Sequence, residues 1–140
     1  MTGPLKGTTA LVVGQAGGIA RAIVIAARDA GADVVAAGRD QKALADAYAG
    51  EPGITTESVD LTDEASIAAL GERLGTVDHV VSTASARARG RVADLDRDAV
   101  RLSFDTKVIG PLMLAKHLAP ACPRPGRSPS FPASPQRRSR

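Results

Sequence analysis

Apolar residues along this chain fall in short blocks separated by polar and glycine-rich stretches. Leu11–Val13, Val34–Ala37, Ile54–Val59 and Val80–Val81 are compact apolar runs bounded by turn residues. Such runs predict short strands buried within a sheet. The segments between them follow a different period. In Ile19–Ala30, the residues Ile19, Ile23, Ala26, Ala27 and Ala30 share one face at helical spacing. Gly31 follows, where helices commonly end. Gln41–Ala49 and Asp63–Leu74 also read as helices, with Thr62 placed to cap the second. A longer helix is predicted over Asp96–Leu118, with Val100, Phe104, Val108, Leu112 and Leu118 among its apolar positions. Gly110 and Pro111 interrupt it, and the proline, lacking an N–H, predicts a kink or split there.

After Ala119 the periodicity ends. Pro120, Pro123, Pro125, Pro129, Pro132 and Pro135 alternate with Arg and Ser. Such a segment buries too little apolar surface to offset the entropy of ordering, so a disordered tail is expected over 120–140. The remainder, 1–119, alternates strand and helix with short connections. That order predicts an α/β domain with a parallel sheet and helices on its faces.

The turn between the first strand and first helix reads Gly14, Gln15, Ala16, Gly17, Gly18, Ile19, Ala20. Glycines allow a tight turn and a close approach of backbone N–H groups to a ligand. The helix start that follows offers unpaired N–H groups and partial positive charge to an anion. A dinucleotide pyrophosphate fits that arrangement, although a structural glycine turn in another α/β protein would look alike.

Composition narrows the partners. The chain has 140 residues and three aromatic side chains, Tyr48, Phe104 and Phe131. Single-stranded nucleic-acid binders need aromatic stacking platforms, so no nucleic-acid partner is expected. The net charge of +3 comes from the tail, where Arg124, Arg127, Arg137, Arg138 and Arg140 occur without any acidic residue. The body is mildly acidic. Cys122 is the only cysteine, which favours a reducing, cytoplasmic setting. Neither a signal peptide nor a membrane-spanning apolar run is apparent, so no membrane partner is expected. His79 has no His or Cys neighbour at metal-ligand spacing, and no metal site is expected.

The glycine register, Gly14-x-x-x-Gly18-x-Ala20, resembles the T-G-x-x-x-G-x-G motif of the short-chain dehydrogenase/reductase family, with Val13 in place of Thr and Ala20 in place of the last Gly. Further elements agree in order. Arg39 and Asp40 end the second strand, Asp60 and Leu61 the third. Val77–Ser85 is similar to the family's D-x-L-V-N-N-A-G, matching at Asp78, Val81 and Ala84, with Ser82 and Thr83 replacing the Asn pair. Phe104–Pro111 resembles the long helix whose N-x-x-G holds a catalytic Asn, but Lys107 stands at that place. A Lys accepts no hydrogen bond, so the role is not carried over.

The resemblance implies a Rossmann-like parallel sheet with helices on both faces, incomplete at about four strands. It implies dinucleotide binding by Gly14, Gln15, Gly17, Gly18, Ile19, Arg39, Asp60, Leu61 and Ala84. Arg39 would pair with the 2′-phosphate of NADP, while Asp40 keeps NAD possible. Asp60 would meet the adenine amino group, or merely cap its loop. The family's Tyr-x-x-x-Lys is missing: Tyr48 is the only tyrosine, and Pro52 stands four residues on. No catalytic residue is therefore assigned. In a shifted reading frame, the codons permitted by residues 125–135 would encode a Ser-containing strand similar to the family's fifth, so a frameshifted tail is one explanation.

Three functional readings follow. The first is an NADP-binding part of a carbonyl or alcohol oxidoreductase, inactive alone because the substrate and proton-transfer groups belong to an intact parent. The second is a non-catalytic dinucleotide sensor. The third is weak phosphate attraction by the Arg-rich tail. The fourth strand is expected to be an unprotected sheet edge, and the helix within 100–118 a homo-oligomer contact. Marginal stability and association are expected to result.

Overall fold

The computed structural model of the protein describes residues 3–119. The expected tail, 120–140, lies outside the described residues, as does Cys122. Strands and helices alternate as β1 (Thr9–Val13), α1 (Gly18–Asp29), β2 (Asp33–Gly38), α2 (Gln41–Ala47), β3 (Ile54–Ser58), α3 (Glu64–Leu74) and β4 (His79–Ser82). A 3₁₀ turn at Val92–Asp94 leads into α4 (Arg97–Phe104), a π-helical turn (Asp105–Ile109) and α5 (Gly110–Leu118).

The four strands form one parallel sheet in the order β3-β2-β1-β4. The period of two along each strand sorts the core into two layers. Leu11, Val13, Val35 and Ala37 face Ile67 and Leu70 of α3 and Leu114 and Leu118 of α5. Ala10, Val12, Val34 and Ala36 face Ala20 and Val24 of α1 and Leu44 of α2. Because both faces of β1 and β2 are covered, their sequences are continuous apolar runs rather than alternating ones.

The two sheet edges differ. β3 presents Thr55, Thr56, Glu57 and Ser58, and Arg73 of α3 reaches Glu57 at 3.0 Å. β4 is paired only with β1 among the described residues, and its Val80 remains 41% exposed. β3 thus has the polar character of an outer strand, whereas β4 keeps the apolar character of an inner one.

Helix starts follow Asp rather than the expected Thr. Asp63 caps α3 by accepting from the Ala65 N–H at 3.1 Å. Thr62 lies one residue ahead of the cap and turns to Asp60 instead, its hydroxyl and N–H both donating to Asp60 Oδ1, at 2.7 and 2.9 Å. Asp40 and Asp96 cap α2 and α4 in the same way, through the Ala43 and Ala99 N–H groups. Ala30 closes α1 and Gly31 follows with φ 99°, as its position predicts.

The long C-terminal helix is neither split nor ended at Pro111. The irregularity sits one turn earlier, where the Gly110 N–H donates to the Asp105 carbonyl across five residues. A proline at 111 provides no N–H for the Lys107 carbonyl and crowds it, and widening that turn relieves the conflict. α5 is tied to α3 at Glu64, whose Oε1 accepts from Lys116 Nζ at 2.7 Å and meets His117 Nε2 at 2.9 Å. These partners, Lys116 first, hold the Glu64 carboxyl below its ordinary pKa.

Gly110 lies against the connection after β3. A Cβ there would come within 2.7 Å of Leu61 Cβ and 2.9 Å of its carbonyl oxygen. Gly110→Ala is expected to lower stability by about 1–3 kcal/mol through overpacking. Urea unfolding checks this, and an unchanged midpoint would contradict the close packing.

Candidate functional site

The carboxyl ends of all four strands open into one cleft of about 380 Å³. Its walls are Val13–Ala16 after β1, Gly38–Asp40 after β2, Val59–Thr62 after β3 and Ala84–Ala86 after β4. Leu102 and Thr106 approach from the C-terminal helices, and Ala43 and Leu44 from α2. Chain order reverses at β1, which lies between β2 and β4. Open α/β sheets bind ligands at such a switch point, outside the carboxyl ends of the strands.

The glycine turn is built by close approach. The Gly14 N–H donates to the Ala37 carbonyl at 2.9 Å. A side chain at 14 would collide with Thr83 Oγ1 and the Ala20 methyl. Ala20 therefore fits without crowding the helix, because residue 14 supplies the space. Thr83 in turn donates to the Val13 carbonyl through its N–H at 2.8 Å and its hydroxyl at 3.3 Å. It performs the local ordering that a Ser/Thr pair after β4 allows.

Gly18 has φ 59°, a conformation that favours glycine. Gly17 is different: its backbone is extended, and a Cβ there would meet nothing within 4 Å. The protein's own packing does not require glycine at 17. α1 starts without a side-chain cap and without an acidic residue in its first turn. Its N-terminal N–H groups and dipole therefore face the open side of the turn uncompensated.

Of the expected site residues, Gly14, Gln15, Arg39, Asp60, Leu61 and Ala84 line the cleft together. Gly17, Gly18 and Ile19 form the start of α1 beside it, outside the lining, and Ile19 is 74% exposed. Asp40 lines the cleft, but its Oδ1 is engaged in capping α2. Arg39 makes no ion pair among the described residues, and its charge acts on Asp60.

The Asp60 carboxyl is held below its ordinary pKa, first by the Thr62 hydroxyl and then by the Thr62 N–H, with a smaller contribution from Arg39. It is an anion at neutral pH, and the described bonds occupy only Oδ1. Folding lowers this pKa, so the resulting stabilisation is full above the unfolded value and is lost as pH falls through the folded one.

Several cleft residues had no signal of their own in the sequence. Gly38 lacks a side chain because the Gly14 carbonyl lies 2.5 Å from where its Cβ would stand. Thr106 faces the cleft, whereas Lys107, the residue aligned with the family's Asn, is exposed and outside it. Leu102 and Thr106, four residues apart, share one helix face, so helical spacing turns Thr106 rather than Lys107 inward. Tyr48 is buried in the α1–α2 layer, its hydroxyl without a hydrogen-bond partner, and burial raises its pKa. It does not line the cleft.

Comparison with known proteins agrees with this architecture. A family model described as enoyl-(acyl carrier protein) reductase matches residues 13–128. The 2-keto-3-deoxy-L-fuconate dehydrogenase of Xanthomonas campestris pv. campestris is 33% identical over 123 residues, covering 88% of this chain and 41% of that protein. The L-xylulose reductase of Bos taurus is 36% identical over 116 residues, covering 82% of this chain and 47% of that protein. A short-chain type dehydrogenase/reductase structure from Mycobacterium ulcerans superposes with a TM-score of 0.75 at 28% identity, covering 86% of this chain and 48% of that one. The chain spans about half the length, or less, of the curated relatives it matches.

Thr62→Ala removes the donor that most favours the Asp60 anion. Its titration midpoint, followed by carboxyl-carbon NMR, is expected to rise toward the ordinary carboxylate value. An unchanged midpoint would show that the hydroxyl is not the cause.

Proposed function

The chain belongs to the short-chain dehydrogenase/reductase family, and on that basis we propose that it binds NADP in preference to NAD without turning over substrate by itself. The NAD(P)-binding Rossmann-type fold is that of the family's oxidoreductases. The preference rests on one observation: Arg39 stands at the tip of β2 in the cleft wall with no ion pair among the described residues, while Asp40 beside it is engaged in capping α2. A ribose 2′-phosphate would meet a guanidinium there, whereas a 2′-hydroxyl would find Asp40 with Oδ1 already accepting from the Ala43 N–H and only Oδ2 left to receive it.

The remaining contacts follow from the same geometry. The N–H groups at Gly17 and Gly18 would receive the pyrophosphate, and the open space at Gly17 supports backbone approach by a ligand. Asp60 would accept from the adenine amino group through Oδ2, between Leu61 and Ala84. The nicotinamide, when bound, supplies hydride chemistry to a carbonyl or alcohol. No Tyr-x-x-x-Lys occurs in this sequence, and the single tyrosine is buried away from the cleft, so the proton-transfer pair of the family has no counterpart here. Binding without turnover is also what a dinucleotide sensor requires.

Among the described residues no helix is long and apolar enough to cross a membrane. The lone cysteine supports a cytoplasmic setting. Phe104, Val108, Ile109 and Leu112 are exposed along the C-terminal helices and support self-association there.

Arg39→Ala is expected to weaken NADP binding about 10–100-fold, the loss of one charge-assisted contact of about 1.5–3 kcal/mol. NAD binding is expected to stay within about twofold. Calorimetry with both nucleotides checks this, and equal losses for the two would overturn the assignment of Arg39.

A further inference from the structure

We infer that the segment after β4, Ser85–Arg89, is a binding strip for an anionic group, the carboxylate or phosphate of a second small ligand that enters the cleft from its β4 side. The inference rests on the reading above, in which a nucleotide takes the β1–β3 side of the cleft, and adds the charge of its companion.

Burial alternates along the segment. Ser85, Arg87 and Arg89 are exposed, while Ala86 and Ala88 between them are partly buried. That period of two sets the three polar residues on one side of the chain. Ser85 and Ala86 belong to the cleft wall, so Arg87 and Arg89 continue the strip outward from its rim. The strip is also anchored. Ser103 Oγ accepts from the Ala88 N–H at 2.9 Å and donates to the Ala99 carbonyl of α4 at 3.1 Å. A segment fixed in this way loses less entropy when a ligand binds it.

The charge on the strip is uncompensated. Arg87 and Arg89 make no ion pair among the described residues. The residues outside the described ones, 1–2 and 120–140, contain no Asp or Glu, so they bring no carboxylate side chain to either arginine. Arg91, farther from the cleft on the same loop, is treated differently: its Nε donates to Asp94 Oδ2 at 2.9 Å. Asp96 is engaged as well, its Oδ2 accepting from the Ala99 N–H at 2.9 Å. The protein thus neutralises the outer arginine and leaves the two nearest the cleft free. A guanidinium matches a carboxylate or a phosphate with paired N–H donors. The apolar walls beside it, Ala84, Ala86 and Leu102, strengthen the field that an anion meets on entry.

The test is NMR of the backbone amides and arginine Nε–H groups of the 140-residue chain. Glycerate, glycerol 3-phosphate and uncharged glycerol are titrated in at constant ionic strength. The two anions are expected to shift the signals of Ser85–Arg89, and glycerol to leave them in place. Shifts from one anion alone uphold the strip and identify the group it takes. The double substitution Arg87→Gln and Arg89→Gln is expected to weaken anion binding about tenfold or more, and Arg91→Gln to change it less than about twofold. No shift at Ser85–Arg89 with either anion, equal shifts with glycerol, or equal losses in the double variant and Arg91→Gln would overturn the inference. NADP added to the same chain reports separately: absence of shifts at Gly14–Ile19 would overturn the nucleotide reading, whatever the anions do at the strip.

Discussion

The backbone at Gly14 is confined on three sides. The Thr83 side chain and the Ala20 methyl occupy the space a side chain would need, and the Gly14 carbonyl fills the corresponding space at Gly38. This contact joins the ends of β1, β2 and β4 with the first turn of α1. A side chain at either glycine would force strands or helix apart, and interiors packed at near-crystalline density have little slack to absorb that. The cleft therefore owes its shape to absent side chains. Thr83 contributes by holding the Val13 carbonyl and filling the gap beside Gly14.

Charge completes what the packing begins. Where a helix start needs only to be stable, this protein puts an aspartate on it, as at Asp40, Asp63 and Asp96. At α1 it puts Gly17 and leaves the N–H groups without side-chain partners. With glycine at the cap position, the stability forgone by omitting such a side chain is only about a few tenths of a kcal/mol. An anion at the cleft can restore it, which links ligand binding to the order of the turn. Arg39 and the Asp60 anion then present opposite charges at neighbouring strand tips. A nucleotide bound as proposed would offer phosphate to the first and an amino group to the second.

Much of this was legible in the sequence because it is local or periodic. The apolar runs at Leu11–Val13 and Val34–Ala37 encode strands covered on both faces, and Gly31 encodes the end of α1. Arg39, Asp60 and Ala84 were legible as neighbours in one cleft because they follow strand ends, and strand ends of a parallel sheet share one rim. Other features depend on which of two adjacent polar groups wins a partner. Thr62 looked like the cap of α3, but its side chain turns to Asp60, and Asp63 at the helix start accepts from the Ala65 N–H. Asp40 looked like a ribose acceptor, and only the structure shows its carboxylate turned to the Ala43 N–H. Pro111 announced a disturbance, yet a proline conflicts with the turn before it, so the distortion falls on Asp105–Ile109.

Amide NMR of the chain titrated with NADP tests whether the uncapped glycine turn and the tips of β2 and β3 form one nucleotide site, as proposed. The largest shift changes are expected at Gly14–Ile19, Arg39 and Asp60, with Tyr48 and the outer edge of β4 at Val80 unaffected. Largest changes along the exposed face of Phe104–Leu112, or no changes at all, would contradict it.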